Sequence, residues 1–193
     1  MKSFDQLWGV DFGSKMAGTT VVCYYTNAIH FLQSDKNQNA DLLLNSLMET
    51  QPPSLIMIDA PLSLPAIYTF KNFEPADFFY RQCDRDLGAM SPMFLGGLTA
   101  RAMQMKKLAS DKGIRVLETY PAAQARKLGF ADYKKENCQS LGEQIAEKYA
   151  LHLGDKVVNQ HQLDALLAFA GGINYLQNNF ESVGKYDEGV III

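Results

Sequence analysis

The five residues "LIMID", Leu55 to Asp59, restrict the fold of this chain more than any other stretch. Side chains of a strand alternate between its faces, so four consecutive apolar positions require cover on both. Pro61 ends the run, and Pro52-Pro53 separates it from the helical leucine spacing of "NADLLLNSLMET", residues 39 to 50. A helix feeding a doubly buried strand is the pattern of a crossover to a parallel strand in a helix-covered sheet.

Upstream, "QLWGVDFG" reads as a strand ending at Gly13, and "GTTVVCYYT" is β-branched and aromatic. Asn27 marks a tight turn into "AIHFLQS", so these three should form an antiparallel meander. If the crossover then lands beside the first strand, Asp11 and Asp59 become neighbours roughly 5 Å apart. "IRVLETYP" supplies a fifth strand, followed by a helix with Pro121 in its first turn.

Further helices are expected over "PADFFYRQCDRDLG", from about Pro75 to Gly88, and over "ARAMQMKKLASDKG" with Thr99 as its cap. "MSPMFLGG" between them reads as a loop. Ser140 with Glu143 has capping-box spacing, and Asn159 caps the long helix "NQHQLDALLAFAGGINYL". The apolar tail "YDEGVIII" must pair with a sheet edge or dock on the body, and an edge contact would also permit a homodimer.

At 193 residues the chain is expected to be one α/β domain with a helical insertion at about 62–112. No apolar run approaches the roughly 20 residues that span a bilayer, so no membrane partner is expected. The three cysteines, Cys23, Cys83 and Cys138, form no CxxC pair, which argues against zinc or a disulfide framework and fits a cytoplasmic location. A net charge of −3 offers no bulk attraction to nucleic acid, so such a substrate needs a local basic patch or bridging cations.

Three carboxylates interrupt apolar runs: Asp11 in "GVDFG", Asp59 in "IMIDAP" and Asp164 in "QLDALLAFAGG". Taken singly, each has an ordinary explanation. Asp11 can cap a turn with Ser14, Asp59 can accept amides beyond its strand, and Asp164 can complement a helix dipole. Taken together, small residues on the Asp164 helix (Ala165, Ala168, Gly171, Gly172) let it lie close to the sheet and bring the third acid toward the other two. Converging acids repel unless a cation is held, and hard Mg²⁺ or Mn²⁺ suits oxygen ligands within about 4 to 6 Å of a common point.

The words "GVDFGSKMAGTTVV", "IDAPLSLP", "RQCDRDLGAMSP", "ETYPAAQARKLG", "HQLDALLAFAG" and "DEGVIII" together resemble the DUF429 family, predicted nucleases of the ribonuclease H-like fold. The first word and "DALLAF" also resemble the RuvC-like and YqgF-like branches of that superfamily. The resemblance implies a mixed five-stranded sheet of order 3-2-1-4-5 flanked by helices, with an acidic metal site at its centre. By position, Asp11 would bridge two metals, Asp59 would hold one, and Asp164 would complete the shell. His161 lies where some RuvC-like members place a further ligand, and Glu118 is the substitute for an acid that ribonuclease H carries on its first helix.

Lys15 after the glycine turn, and Arg81 with Arg85, are candidates for substrate phosphates. The arginines have an ordinary alternative in an Asp77–Arg81 pair at i,i+4, and Lys15 in plain solvation. Tyr80 and Tyr120 could stack on a base. The methionines read as packing, and Cys83 lacks the surroundings of a nucleophile.

The leading expectation is a Mg²⁺- or Mn²⁺-dependent nuclease acting on nucleic acid. A binding or scaffold protein that keeps the fold is the alternative. The "DFGSK" strand-turn also resembles the phosphate cradle of sugar kinases and actin-like ATPases, but those need two such domains around a cleft.

Overall fold

The computed structural model describes residues 4–69, 77–130, 133 and 137–193. Among these, β1 (Leu7–Asp11), β2 (Val21–Tyr25), β3 (Ile29–Gln33), β4 (Leu55–Asp59) and β5 (Arg115–Glu118) form one sheet of order β3-β2-β1-β4-β5. β1, β2 and β3 pair antiparallel as a meander, while β4 runs parallel to both β1 and β5. These are the order and layout that the ribonuclease H-like resemblance implies.

The crossover from β3 to β4 is made by α1 (Ala40–Thr50), whose cap Asn39 accepts the amides of Asp41 and Leu42. Between β4 and β5 lie a short 3-10 turn (Ala66–Tyr68), α2 (Gln82–Leu87), α3 (Pro92–Leu95) and α4 (Gly97–Asp111). After β5 come α5 (Pro121–Lys127), α6 (Cys138–Lys148), α7 (Gln160–Leu176) and a hairpin of β6 (Ser182–Lys185) with β7 (Gly189–Ile192).

Strand alternation divides the core in two. Leu7, Val21, Cys23, Leu55 and Met57 pack with Leu163, Leu166 and Phe169 of α7. Trp8, Val10, Val22, Ile56, Ile58 and Val116 pack on the other face with Leu44 and Met48 of α1 and Ala102, Met105 and Ala109 of α4. Burial of "LIMID" on both faces is therefore real. It is what seats β4 beside β1.

Several expected helix bounds shift. The helix expected from Pro75 begins only at Gln82, while residues 75 and 76 lie outside the described ones and Asp77 instead accepts the amides of Phe79 and Tyr80. "MSPMFLGG" is not all loop: Ser91 accepts the amides of Met93 and Phe94 and starts α3, with Pro92 in its first turn. Thr99 lies inside α4 rather than capping it, and donates to the Pro92 carbonyl at 2.7 Å. Asn137, not Ser140, caps α6 and accepts the Ser140 amide.

The apolar tail is used within the chain. β7 pairs with β6 along one edge and bridges Thr119 through Ile192 on the other, which removes the sequence-based reason for an edge-to-edge homodimer. Among the described residues no helix is long and apolar enough to cross a membrane.

Candidate functional site

Asp11 and Asp59 are register partners at the carboxyl ends of β1 and β4, where they share the alternation of Leu7, Leu55 and Met57 and so face α7. α7 lies almost on the sheet backbone. A Cβ at Gly9 would overlap the Ala165 carbonyl and stand 2.7 Å from Phe169 Cα, and one at Gly172 would stand 2.5 Å from Leu7. Gly172 over Leu7 and Ala165 over Gly9 make α7 antiparallel to β1, so its first turn arrives at Asp11. There His161 Nδ1 lies 2.7 Å from Asp11 Oδ2. The positive end of the α7 dipole thus sits among acids.

Asp164, one residue short of a turn beyond His161, is half-buried and accepts Gln160 Nε2 at 3.0 Å. The phenol of Tyr133 also donates to it. Burial raises the pKa of Tyr133 above that of an ordinary tyrosine, and the charges of Asp164 and Asp59 add to the shift. Tyr120 is shifted the same way, first by burial and then by Asp59. Both carboxylates therefore act on one neighbourhood.

Among the described residues, no three His, Cys, Asp or Glu side chains are grouped so that they could hold a metal ion. Instead, Asp11 Oδ2 is engaged by His161 and Asp164 by Gln160 and Tyr133. What β1 and β4 do present is a pair of carboxylates in register.

Glu118 and Arg81 have a different role from the one expected. Glu118 pairs in register with Ile58, so it shares that residue's alternation and points away from the α7 face. Its carboxylate accepts Arg81 Nη1 at 2.7 Å, Arg81 Nη2 at 2.6 Å and the Leu62 amide at 2.9 Å. Arg81 also donates through Nε and Nη2 to Asp84 at 3.0 and 2.6 Å, and through Nη1 to Ser63 at 2.9 Å. A guanidinium has five N–H donors, and all five are spent. Burial opposes the charge of Arg81, yet the bonds to Glu118 and Asp84 outweigh it and raise its pKa. Arg81 is a buried strut with no donor left for a phosphate, and Glu118 is its counter-ion.

Arg85 does not share a helix face with Arg81, because Arg81 precedes the first residue of α2. It is exposed, pairs with Asp77 and lies over the Tyr80 ring at 4.5 Å. The alternative Asp77–Arg81 pair is thus replaced by Asp77–Arg85. Lys15 is half-exposed, 4.0 Å from Asp41, at the turn that follows Asp11. Burial pushes the Cys83 thiol up to about 12, in keeping with its reading as inert.

Four neighbours of the site were not singled out from sequence. Tyr133 stands among the polar residues of "ADYKKEN", a weak signal. Arg101 on α4 donates to Asp41 and to the Gly13 carbonyl at 3.1 Å, and lies over Phe12, which fixes the turn beside Asp11. Asp84 and Glu188 are buried acids; Glu188 accepts the amides of Ala66 and Gln82. No periodic pattern marks them.

A cavity of about 290 Å³ opens at the carboxyl ends of β1, β4 and β5, the usual place for ligands in sheets with parallel strands. Asp11 and Asp59 line it together with Phe12, Tyr120, Met90 and Leu95. Arg81 and Glu118 form part of its wall.

No family model matches the chain, and no curated protein matches its sequence. The words that resemble the DUF429 family thus stand without a family match. Among solved structures, Thermus thermophilus RuvC is similar at 15% identity and a TM-score of 0.47, over 90% of this chain and 96% of that one. T. thermophilus RuvC in complex with Holliday junction substrate is similar at 12% identity and a TM-score of 0.45, over 96% and 98%. Likeness at this level says nothing of chemistry, and the strand order above rests on the strand pairs themselves.

Proposed function

We propose that this chain hydrolyses phosphodiester bonds in nucleic acid with the help of Mg²⁺ or Mn²⁺. The observation that carries the reading is the in-register pair Asp11–Asp59, facing the first turn of α7 at the mouth of a cavity. Two oxygen-donor carboxylates with no cysteine at hand suit a hard cation. Mg²⁺ in particular keeps several waters and is commonly bound through one or two carboxylates plus substrate phosphates, so it does not need an all-protein cage.

In this reading Asp11 and Asp59 hold the cation, and Asp164 and His161 border it. When bound, the cation would lower the pKa of a water for attack at phosphorus and stabilise the leaving oxygen. His161 Nδ1 fixes the orientation of the Asp11 carboxylate, as neighbours of ligating groups do. Tyr133 and Gln160 do the same for Asp164. Lys15 and Arg85, both solvent-facing, are the cations placed to meet phosphates. The resemblance to DUF429 proteins agrees with this reading.

One observation favours a second reading, a binding protein that keeps the fold without hydrolysis: His161 already engages Asp11, and no three-ligand group is formed among the described residues. The two separate in one experiment. Labelled RNA, DNA and branched substrates are incubated with Mg²⁺ or Mn²⁺ and with wild type or Asp11→Asn. Cleavage lost in Asp11→Asn supports hydrolysis. Cleavage surviving in that variant sinks the proposed site, and no cleavage of any substrate favours the binding protein.

A further inference from the structure

Beside the acidic cavity the chain exposes large apolar side chains. Phe79 is 52% exposed, Phe94 62% and Met90 61%, although core packing normally hides such groups. The rings form one cluster: Phe79 and Phe94 ring centroids lie 5.5 Å apart, and Tyr80 meets Phe94 edge-on at 5.8 Å. The cluster is built rather than loose. Ser91 donates to the Phe79 carbonyl, and Asp77 accepts the amides of Phe79 and Tyr80 at 2.9 Å. Arg85 covers Tyr80 while its side chain remains 56% exposed. Met90 and Leu95, the latter next to Phe94 in the chain, both line the cavity that holds Asp11 and Asp59.

We propose that this ridge is a stacking platform for unpaired nucleobases, so that the site takes single-stranded nucleic acid or the unpaired part of a longer one. The inference rests on the phosphodiesterase reading for the identity of the ligand. Exposed ring faces beside a cation are the chemistry that binds single strands: bases stack on aromatics, and the cation meets phosphate or base. Bases inside a duplex are already stacked and offer no free faces. Affinity for duplex would instead lean on many phosphate contacts, and Arg81 is fully engaged within the protein.

The test measures binding rather than cleavage. Fluorescence anisotropy of the full chain in EDTA would compare a labelled single strand, an abasic strand of the same length and a duplex at fixed salt. Wild type should prefer the base-bearing strand over the abasic one. Phe94→Ala should lower affinity for the base-bearing strand alone by roughly five- to a hundredfold, and Phe94→Tyr should restore it. Phe79→Ala gives a second, independent reading. Equal affinity for base-bearing and abasic strands, no binding to either, or preference for duplex would each overturn the platform. So would sedimentation showing that Phe94→Ala only dissolves a self-associated form, which would make the ridge a protein contact. Because the assay contains no metal, loss of cleavage in Asp11→Asn with an equal base-to-abasic ratio would remove the platform and leave the hydrolytic reading standing.

Discussion

Asp11 and Asp59 stand directly opposite one another on adjacent parallel strands, with both carboxylates on the α7 side of the sheet. Neighbouring strands are about 4.8 Å apart, so the two charges repel unless a cation or proton lies between them. Removing one of the two charges lifts the repulsion that a bound cation would have to offset. Mg²⁺ or Mn²⁺ should raise the melting temperature of wild type and leave that of Asp59→Asn in place. Metal-dependent cleavage should fall by about a hundredfold or more, since even indirect partners of metal ligands cost 10–100-fold. Equal metal-induced shifts in both proteins would remove Asp59 from the site.

Gly9 sets how far α7 can approach. A methyl group there would overlap backbone atoms of Ala165 and Phe169, and backbone cannot rotate aside. Gly9→Ala should destabilise the chain by about 1–3 kcal/mol, the usual cost of overpacking, seen as a lower urea midpoint. It should also reduce cleavage, because His161 and Asp164 travel with α7. Wild-type stability in Gly9→Ala would mean that the helix does not lie this close.

The Arg81–Glu118 pair distinguishes a strut from a substrate contact. Both residues are buried, and removal of Arg81 would leave Glu118 and Asp84 as uncompensated charges. Breaking such a pair costs on the order of 3–5 kcal/mol, so Arg81→Met should lower stability severely. Arg81→Lys should also destabilise, since an ammonium offers three donors where five bonds are made. A phosphate contact behaves differently: stability would hold in Arg81→Lys while KM for the nucleic acid rose. Thermal unfolding and KM, measured on the same preparations, separate the two.

The parts of this structure that follow from local pattern were readable in the sequence. "LIMID" dictates cover on both faces, the β-branched runs around Asn27 dictate a meander, and together they place Asp11 beside Asp59. The close approach of α7 was half-visible in its small residues, while its counterpart Gly9, a glycine inside a strand, is the same signal on the other surface. What could not be read was pairing between distant charges. Arg81 and Glu118 are separated by 37 positions and by irregular chain, and a buried ion pair leaves no periodicity. Nor does sequence choose between two good caps three residues apart, as with Asn137 and Ser140. Tyr133 and Asp164 are 31 positions apart, and nothing in the local pattern of either links them.

The turn that carries the aromatic ridge should be sensitive to acid. Burial raises the pKa of Asp77, but the amides of Tyr80 and Phe79 and the guanidinium of Arg85 together outweigh it and hold the carboxyl below its ordinary value of 3.8. A carboxyl whose pKa is lower in the folded state stabilises that state when ionised. This contribution is fully present above the unfolded value and is lost as pH falls through the folded one. The difference in melting temperature between wild type and Asp77→Asn should therefore be constant from pH 7 to about 5 and shrink at lower pH. The side-chain carboxyl carbon of Asp77, followed by NMR, should titrate below a free aspartate in the same buffer. A gap that persists unchanged to pH 2, or that widens toward acid, would show that Asp77 does not hold the turn through its charge.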